Sequence, residues 1–380
     1  MKCGFLISSL LGLVSSLVAA GAMAAGQSVE IPLGVPEGFT PVFIDPVGSG
    51  RYCVSGEVLD DMAATTTAYV AVVDADKRQV VWKSSIPFAH DHAGSEALRC
   101  VSDSNHSAYF VLTKEDTNSS ESLDQGKLFL QKFSADGKLL KQQRVGVGFD
   151  EWAYLLDVTP AGVAVAGGIS DTLQRGGKFS TFVARFDQDL SKRTDFAKLP
   201  TGAYWIDSEA RLDGAYLLVG GQFLANGAVS PADKPYAVSK IDIGNSRYIR
   251  STHLYPTDVD SATPAIEADG SAFYAALTSS ELLVSAVDAA GHVTQHFSLK
   301  KPLCEIKALG VQGQTLSVFG KTCDKAAVDA IATIDLEQKT VGGIQRVSGD
   351  VREVRFEGNA WVGVAVDERA QHATFRRVAR

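Results

Sequence analysis

Short apolar segments, each bounded by a polar turn, recur along the chain from about residue 28 to its end. One recurring mark is an apolar strand that ends in Asp or Ser and runs into turn-forming residues. Its six copies are Val72-Val73-Asp74, Lys132-Phe133-Ser134, Arg185-Phe186-Asp187, Lys240-Ile241-Asp242, Ala286-Val287-Asp288 and Thr333-Ile334-Asp335. Between them, glycine turns such as Leu212-Asp213-Gly214 precede strands rich in Val, Leu and aromatic residues. Helical periodicity is nearly absent, so the pattern predicts an all-β fold.

The repeated unit has four strands and about 44–56 residues, which is the period of a propeller blade. Innermost strands start near Phe39, Glu96, Glu151, Asp207, Asp260, Cys304 and Glu353. The last unit has three strands before Arg380, and the segment Ser28–Leu33 supplies its missing outer strand, which closes the ring and covers both free sheet edges. We therefore predict one domain over residues 25–380, a seven-bladed β-propeller of four-stranded antiparallel blades closed by its N-terminal strand. A six-bladed ring or a split sandwich is the alternative.

The part of the chain from Lys127 to Asp187 carries the repeat most clearly. Its marks are Leu128–Phe133, Asp136-Gly137, Gly146–Glu151, Asp157–Gly162, Val165-Ala166-Gly167-Gly168 and Phe182–Phe186. These residues resemble the repeat of the bacterial seven-bladed β-propeller (SBBP-like) family over about one and a half blades. The other blades match only in outline and lack a repeated Gly-Gly-x-Gly-Asp-Asp run. The resemblance implies the architecture and no particular activity, because that family is defined by its fold.

The first residues have the features of a bacterial export signal. Lys2 is followed by an apolar run of about 16 residues and by Ala22-Met23-Ala24, the small-residue pattern of a cleavage site. We predict a signal peptide over residues 1–24 and a periplasmic or secreted mature protein with no membrane span. The alternative is an uncleaved anchor, but the run is short for a bilayer and is interrupted by serines.

Cysteines and charge narrow the class of protein further. Four of the five cysteines lie after the predicted signal, and an even number in an exported chain indicates two disulfides. Antiparallel pairing in the sixth blade predicts Cys304–Cys323, and the positions of Cys53 and Cys100 predict a bridge between neighbouring blades. Free buried thiols are the alternative. Removing Lys2 takes the formal net charge from −8 to −9, which argues against a nucleic-acid partner and fits a basic one.

We expect a functional site on the top face of the ring. This face carries the interblade loops and the second-to-third-strand loops. The second-to-third loops near residues 59–66, 114–127, 170–178 and 223–235 are long, and long loops on a rigid scaffold often carry function. Our candidate binding residues are His90, Asp91, His92, Glu96, Asp150, Glu151, Trp152, Tyr204, Trp205, Asp207, Glu209, Asp258, Asp260, Glu305 and Glu353. Aromatics beside carboxylates suit sugar stacking or a protein interface. Trp152 and Trp205 are also candidates for packing between blades.

Acidic residues recur where the innermost strands start. In three blades a basic residue follows two positions later, namely Arg211, Lys307 and Arg355. Since this spacing places both side chains on one face of a strand, the pairs are candidates for acidic and basic rings around the central channel. Solvated rim charges are the alternative. We predict no metal site and no cofactor, and we leave open a channel cation and co-ligation of a metal by His90 and His92.

Familiar catalytic motifs do not occur in the sequence. Neither Gly-x-Ser-x-Gly nor His-Glu-x-x-His is present, and the repeat motifs of sialidase-like and quinone-dependent propellers are missing. Our leading hypothesis is a monomeric, non-catalytic periplasmic protein that binds a protein partner through its top face, as an enzyme regulator or a toxin-neutralising protein. The alternatives are a carbohydrate-active or other small-substrate enzyme, with Glu96, Glu151 or Glu209 beside Trp152 and Trp205, and a metal-stabilised scaffold.

Overall fold

The computed structural model of the chain describes residues 28–60, 62, 64–89, 92–119, 122–146, 148–171, 178–199, 202–225, 235–254, 259–367 and 372–379. These residues form 28 β-strands and no helix, so no helix among them is long and apolar enough to cross a membrane. The predicted signal peptide lies outside the described residues.

Seven four-stranded antiparallel sheets follow one another along the chain. Blade 1 consists of β2 (Phe39–Gly48), β3 (Arg51–Asp60), β4 (Thr65–Asp74) and β5 (Gln79–Ile86). Blade 2 consists of β6 (His92–Ser102), β7 (Ala108–Ser119), β8 (Ser122–Ser134) and β9 (Leu139–Arg144). Blade 3 consists of β10 (Asp150–Thr159), β11 (Gly162–Ser170), β12 (Phe179–Phe186) and β13 (Arg193–Leu199). Blade 4 consists of β14 (Ala203–Asp213), β15 (Tyr216–Ala225), β16 (Tyr236–Asp242) and β17 (Arg247–Leu254).

The last three blades complete the ring. Blade 5 consists of β18 (Ser261–Ile266), β19 (Ala272–Leu277), β20 (Glu281–Val287) and β21 (Val293–Lys300). Blade 6 consists of β22 (Glu305–Gln312), β23 (Thr315–Lys321), β24 (Asp329–Asp335) and β25 (Thr340–Arg346). Blade 7 consists of β26 (Asp350–Glu357), β27 (Ala360–Asp367), β28 (His372–Ala379) and the N-terminal strand β1 (Val29–Pro32).

Closure by the N-terminal strand is confirmed. Strand β1 pairs antiparallel with β28 as the outermost strand of blade 7, with Val29 opposite Arg377 and Pro32 opposite Thr374. The first strand of every blade packs against the first strands of both neighbours, from β2 through β26 and back to β2. These seven strands therefore surround the central channel, and the prediction of seven blades rather than six is confirmed.

The hydrophobic core is divided among the blade interfaces. Each pair of neighbouring blades encloses its own apolar cluster, including one that joins Ile31 of β1 and Phe375 of blade 7 to Tyr52 of blade 1. Middle strands are accordingly buried along their length, as in β11, whereas every residue of the outer strand β25 is exposed. Burial of the middle strands on both faces explains their continuous apolar sequences.

Both predicted disulfides are present. Cys53 of β3 is bonded to Cys100 of β6, which joins blades 1 and 2. Cys304, just before β22, is bonded to Cys323, just after β23. Two disulfides indicate that the protein matures in an oxidising compartment outside the cytoplasm.

Candidate functional site

Three aromatic rings meet on the top face above blades 3 and 4. Trp152 lies near the start of β10, Phe179 begins β12 and Tyr204 lies near the start of β14. The ring centroids of Phe179 and Tyr204 are 4.3 Å apart, those of Trp152 and Tyr204 are 4.8 Å apart, and those of Trp152 and Phe179 are 5.9 Å apart. All three side chains are half-buried. We call these three residues the aromatic patch.

Local sequence explains why Trp152 takes this position. Its indole N–H donates to the hydroxyl of Tyr154 at 3.1 Å. A Cβ atom at Gly168 would lie 2.2 Å from the indole ring, so glycine is required where β11 passes Trp152. The Tyr154 hydroxyl also accepts the backbone N–H of Trp205 at 3.0 Å. Trp205 is fully buried between blades 3 and 4, and its neighbour Tyr204 therefore points to the other side of the strand, into the patch.

Asp150 borders the aromatic patch. Its carboxylate accepts the backbone N–H of Gly126 at 2.7 Å. Burial raises the pKa of the Asp150 carboxyl, although that hydrogen bond and the charge of Lys114 oppose the rise. Burial, followed by the charge of Asp150, also raises the pKa of the Tyr204 phenol. Asp150 and Tyr204 thus interact electrostatically, and a carboxyl group lies beside the three rings of the aromatic patch.

A small charged group continues this surface over blade 2. The Lys114 ammonium lies 3.1 Å from a carboxylate oxygen of Asp116 and 3.6 Å from one of Glu96, and all three side chains remain partly exposed. Burial raises the pKa of the Glu96 carboxyl, with Lys114 opposing the rise. The group contains two carboxylates and one ammonium, so its net formal charge is negative.

Glu151, another predicted site residue, is structural in its contacts. Its fully buried carboxylate accepts the backbone N–H of Leu128 and of Gly148, both at 2.9 Å, and the guanidinium of Arg144 at 2.9 Å. These bonds join blades 2 and 3 beneath the surface. Full burial of Glu151 and of Trp205 leaves neither side chain on the binding surface that the sequence suggested.

His92 is likewise held by a neighbouring carboxylate. Its Nδ1 lies 2.6 Å from the Glu115 carboxylate, which also accepts the backbone N–H of Ala89 at 3.2 Å.

Among the described residues, no group of three or more His, Cys, Asp and Glu side chains could hold a metal ion. The suggested channel cation therefore stays a prediction.

A cavity of about 610 Å³ occupies the central channel. Six of the seven innermost strands line it, and it contains Glu209 and Glu353 from the predicted list together with Lys307 and Arg355. Of the three acidic and basic pairs that the sequence suggested for the channel, Glu353 and Arg355 both line this cavity, whereas Arg211 is not part of its lining. Glu305 does not line this cavity and is exposed.

The two predicted glutamates in the cavity differ in their partners. Glu209 accepts the backbone N–H of Ile266 on blade 5 at 2.9 Å, and burial raises the pKa of its carboxyl. Burial also raises the pKa of Glu353 to about 8, against the opposing charges of Lys307 and Arg99. The Lys307 ammonium is itself paired with Asp329 at 2.9 Å.

Asp45 of β2 binds two arginines that line the cavity, Arg99 and Arg355. It was not a predicted site residue. Its carboxylate accepts guanidinium N–H groups of Arg99 at 3.1 Å and Arg355 at 3.4 Å, and the backbone N–H of Cys100 at 3.0 Å. The Arg99 guanidinium also lies over the ring of Phe43, 3.8 Å from its centroid. Sequence indicated only Arg355 among these residues, because the members of this site come from three blades.

The remaining predicted positions contribute less to these two regions. Asp260 is exposed beside the start of β18. His90, Asp91 and Asp258 lie outside the described residues, as does the side chain of Asp207. The structure therefore brings Asp150, Trp152 and Tyr204 together on the top face, with Phe179 as the member that sequence reasoning missed.

Comparison with known proteins supports the fold and no particular activity. No protein-family model and no curated protein matches the chain. A puromycin hydrolase mutant complexed with PGG superposes with a TM-score of 0.52 at 14% identity, covering 88% of this chain and 51% of that chain. This chain thus spans about half the length of the hydrolase. Sqt1 of Saccharomyces cerevisiae superposes with a TM-score of 0.52 at 10% identity, covering 94% and 89% of the two chains.

At such identities the likeness shows a shared propeller fold alone. The seven-bladed architecture implied by the resemblance of Lys127–Asp187 is present. Membership of the SBBP-like family stays a prediction, because no family match accompanies it.

Proposed function

We propose that this protein is an exported, non-catalytic binding protein of the bacterial periplasm that holds a protein partner through its top face. The aromatic patch carries the proposal, because three rings from three strands lie in mutual contact and each remains partly accessible. Trp and Tyr are enriched among the residues that contribute most to protein–protein binding. The ring of blades holds the patch in place before binding, which lowers the entropic cost of association.

Charge around the patch favours a basic partner. Asp150 borders the rings, and Glu96 and Asp116 outnumber Lys114 on the adjoining surface of blade 2. Complementary charge speeds encounter and rejects partners of the wrong sign. A regulator of a basic secreted enzyme, or a protein that neutralises a basic toxin, would bind a partner of this charge.

Export rests on two independent features of the chain. Residues 1–24 have the basic start, apolar run and small residues of a signal peptide. The two disulfides fit an oxidising compartment, and the periplasm is such a compartment. We therefore place the proposed partner in the periplasm or outside the cell.

Capture from periplasmic extract of the source bacterium tests the proposal. Immobilised wild-type protein is compared with Tyr204→Ala, which removes one ring of the patch, and with the matched control Tyr216→Ala. Tyr216 begins β15 on the opposite face and is also half-buried. We expect a captured protein whose affinity falls at least about tenfold with Tyr204→Ala and is unchanged with Tyr216→Ala.

Two results of this comparison would count against the proposal. Equal capture by Tyr204→Ala and wild type would show that the aromatic patch is not the binding surface. Loss of capture with Tyr216→Ala but not with Tyr204→Ala would indicate a binding surface on the bottom face. Raising the salt concentration adds a separate check, because a basic partner is expected to associate more slowly at high ionic strength.

A small-substrate enzyme is a second candidate, and one observation favours it. The cavity holds Glu209 and Glu353, and a carboxyl whose pKa lies near 8 is suited to donate a proton at neutral pH. Turnover of a panel of aryl glycosides and peptides by wild type, with a fall of at least about 100-fold in Glu353→Gln, would support this candidate. Lack of turnover by the wild-type protein would leave binding as the better account.

A further inference from the structure

The central cavity carries opposite charges on opposite sides of the ring. Glu209 and Glu267 lie on its wall at blades 4 and 5, whereas Arg99 and Arg355 lie on blades 2 and 7, on either side of blade 1. In a ring of seven blades, blades 4 and 5 stand across from blade 1. An acidic wall therefore faces a basic wall across the cavity.

The acidic wall has acceptor capacity to spare. One oxygen of Glu209 accepts the backbone N–H of Ile266, and a carboxylate has a second oxygen. Within the described part of the chain, the Glu267 side chain makes no hydrogen bond or ion pair. Burial, followed by the charge of Glu209, raises the pKa of Glu267. A cation between the two carboxylates would relieve that repulsion.

The basic wall has donor capacity to spare. Arg99 and Arg355 share the single carboxylate of Asp45, and each guanidinium has five N–H groups. Asp45 and the Phe43 ring fix the plane of the Arg99 guanidinium, which suits it to a second, bidentate carboxylate. Glu353 lies nearby, and burial raises the pKa of its carboxyl to about 8, which favours its uncharged form.

Apolar side chains line the cavity together with these charged groups. Ile44, Ile266, Ile306 and Phe356 also line the cavity. Gly358, in the exposed turn after β26, lines it as well, so the cavity reaches the bottom face of the ring. A volume of about 610 Å³ is within the range of small-molecule sites.

We propose that this cavity binds a small zwitterion, with the ammonium group at Glu209 and Glu267 and the carboxylate at Arg99 and Arg355. An ω-amino acid or a short peptide has this chemistry, with an uncharged chain to lie along the apolar side chains. The inference goes beyond the proposed function, and it holds whether or not the top face binds a protein.

Isothermal titration of the full mature protein tests the inference with a graded set of probes. The series runs from glycine through aminohexanoate to aminooctanoate, and hexylamine and hexanoate supply each charge alone. We expect at least one length to bind with a Kd below about 1 mM, and both single-charge probes to bind at least about tenfold more weakly than aminohexanoate or its best homologue. No binding by any length, or equal binding by hexylamine, would overturn the inference.

Two variants assign the walls, and a matched control accompanies each. We expect Glu267→Gln and Arg355→Gln each to weaken binding about tenfold, since each removes one charged contact. The controls are Glu305→Gln and Arg346→Gln, which change an exposed carboxylate and an exposed guanidinium away from the cavity lining. Unchanged affinity in Glu267→Gln, whose side chain makes no hydrogen bond or ion pair within the described part of the chain, would refute the assignment even if Arg355→Gln failed to fold. The top-face variant Tyr204→Ala is expected to bind the zwitterion as wild type does.

Discussion

Carboxylates at the blade interfaces and carboxylates in the central cavity have different partners. Glu151, at the interface of blades 2 and 3, is fully buried and accepts two backbone N–H groups and a guanidinium. Glu353, in the cavity, has a raised pKa and neighbouring cations that only partly offset its burial. Both glutamates stand near the start of an innermost strand. An interface carboxylate such as Glu151 therefore stabilises the fold, whereas a cavity carboxylate such as Glu353 destabilises it when ionised and remains available to a ligand.

Breaking the covalent link at one interface is expected to have the largest effect on stability. Cys53 and Cys100 are 47 residues apart and join two blades. Cys304 and Cys323 are 19 residues apart and flank the β22–β23 hairpin of blade 6. The entropy of the closed loops predicts a loss of about 4 kcal/mol for the Cys53→Ser, Cys100→Ser double variant and about 3 kcal/mol for the other pair. Urea unfolding measures both values. A larger loss for the pair at Cys304 would contradict this order.

Removing the interface carboxylate is the next largest change. Glu151→Ala leaves the buried N–H groups of Leu128 and Gly148 without their acceptor, and we expect the free energy of unfolding to fall by about 3 kcal/mol. The same urea titration measures the loss. A fall below about 1 kcal/mol would mean that Glu151 is not a structural part of the interface.

The cavity carboxylate is expected to respond in the opposite direction. In the unfolded chain Glu353 ionises near its ordinary value of 4.5, whereas in the folded protein its pKa is about 8. Between these values the folded state holds a proton that the unfolded state has released, so stability falls as the pH rises through this window. Because the cavity is open to water, we expect Glu353→Gln to gain about 2 kcal/mol over wild type at about pH 9 and nothing below about pH 4.5.

This pH dependence is measured by urea unfolding across the window, with both proteins in the same buffers. Identical pH profiles for wild type and Glu353→Gln would show that the carboxyl titrates as it does in the unfolded chain. A variant less stable than wild type at high pH would mean that the ionised carboxylate is stabilised in the fold, as an interface carboxylate is.

The smallest effect is expected at a predicted site residue that belongs to neither region. Glu305 is exposed and does not line the cavity. We expect Glu305→Gln to change the free energy of unfolding by no more than about 0.5 kcal/mol at neutral pH. A loss near that of Glu151→Ala would show that position along the strand, rather than burial, decides the role of these glutamates.

The ring itself was predictable because its signals are local in sequence. Strand-and-turn units repeat, β1 has no partner inside its own unit, and Cys304 and Cys323 flank a hairpin whose antiparallel pairing brings them together. Each of these inferences needs only the number of strands and the direction of pairing.

The roles of individual site residues were harder to predict, because they depend on neighbouring blades. Trp152 and Trp205 looked alike in sequence, yet one borders the top surface and the other is enclosed between blades 3 and 4. Phe179 follows a long loop that carries no aromatic motif, and its meeting with Tyr204 depends on how two sheets are inclined. The pairing of Asp45 with Arg355 spans nearly the whole sequence, so no local pattern indicates it.

Site-specific photo-crosslinking in the periplasm tests the central claim, that the aromatic patch binds a protein, most directly. A photoreactive phenylalanine analogue replaces Tyr204 in one version of the protein and Tyr216, on the opposite face, in the other. We predict that one cellular protein, the same one captured from periplasmic extract, is crosslinked from position 204 and not from position 216. Crosslinking from position 216 alone, or none from position 204 while the captured protein is present, would contradict the account.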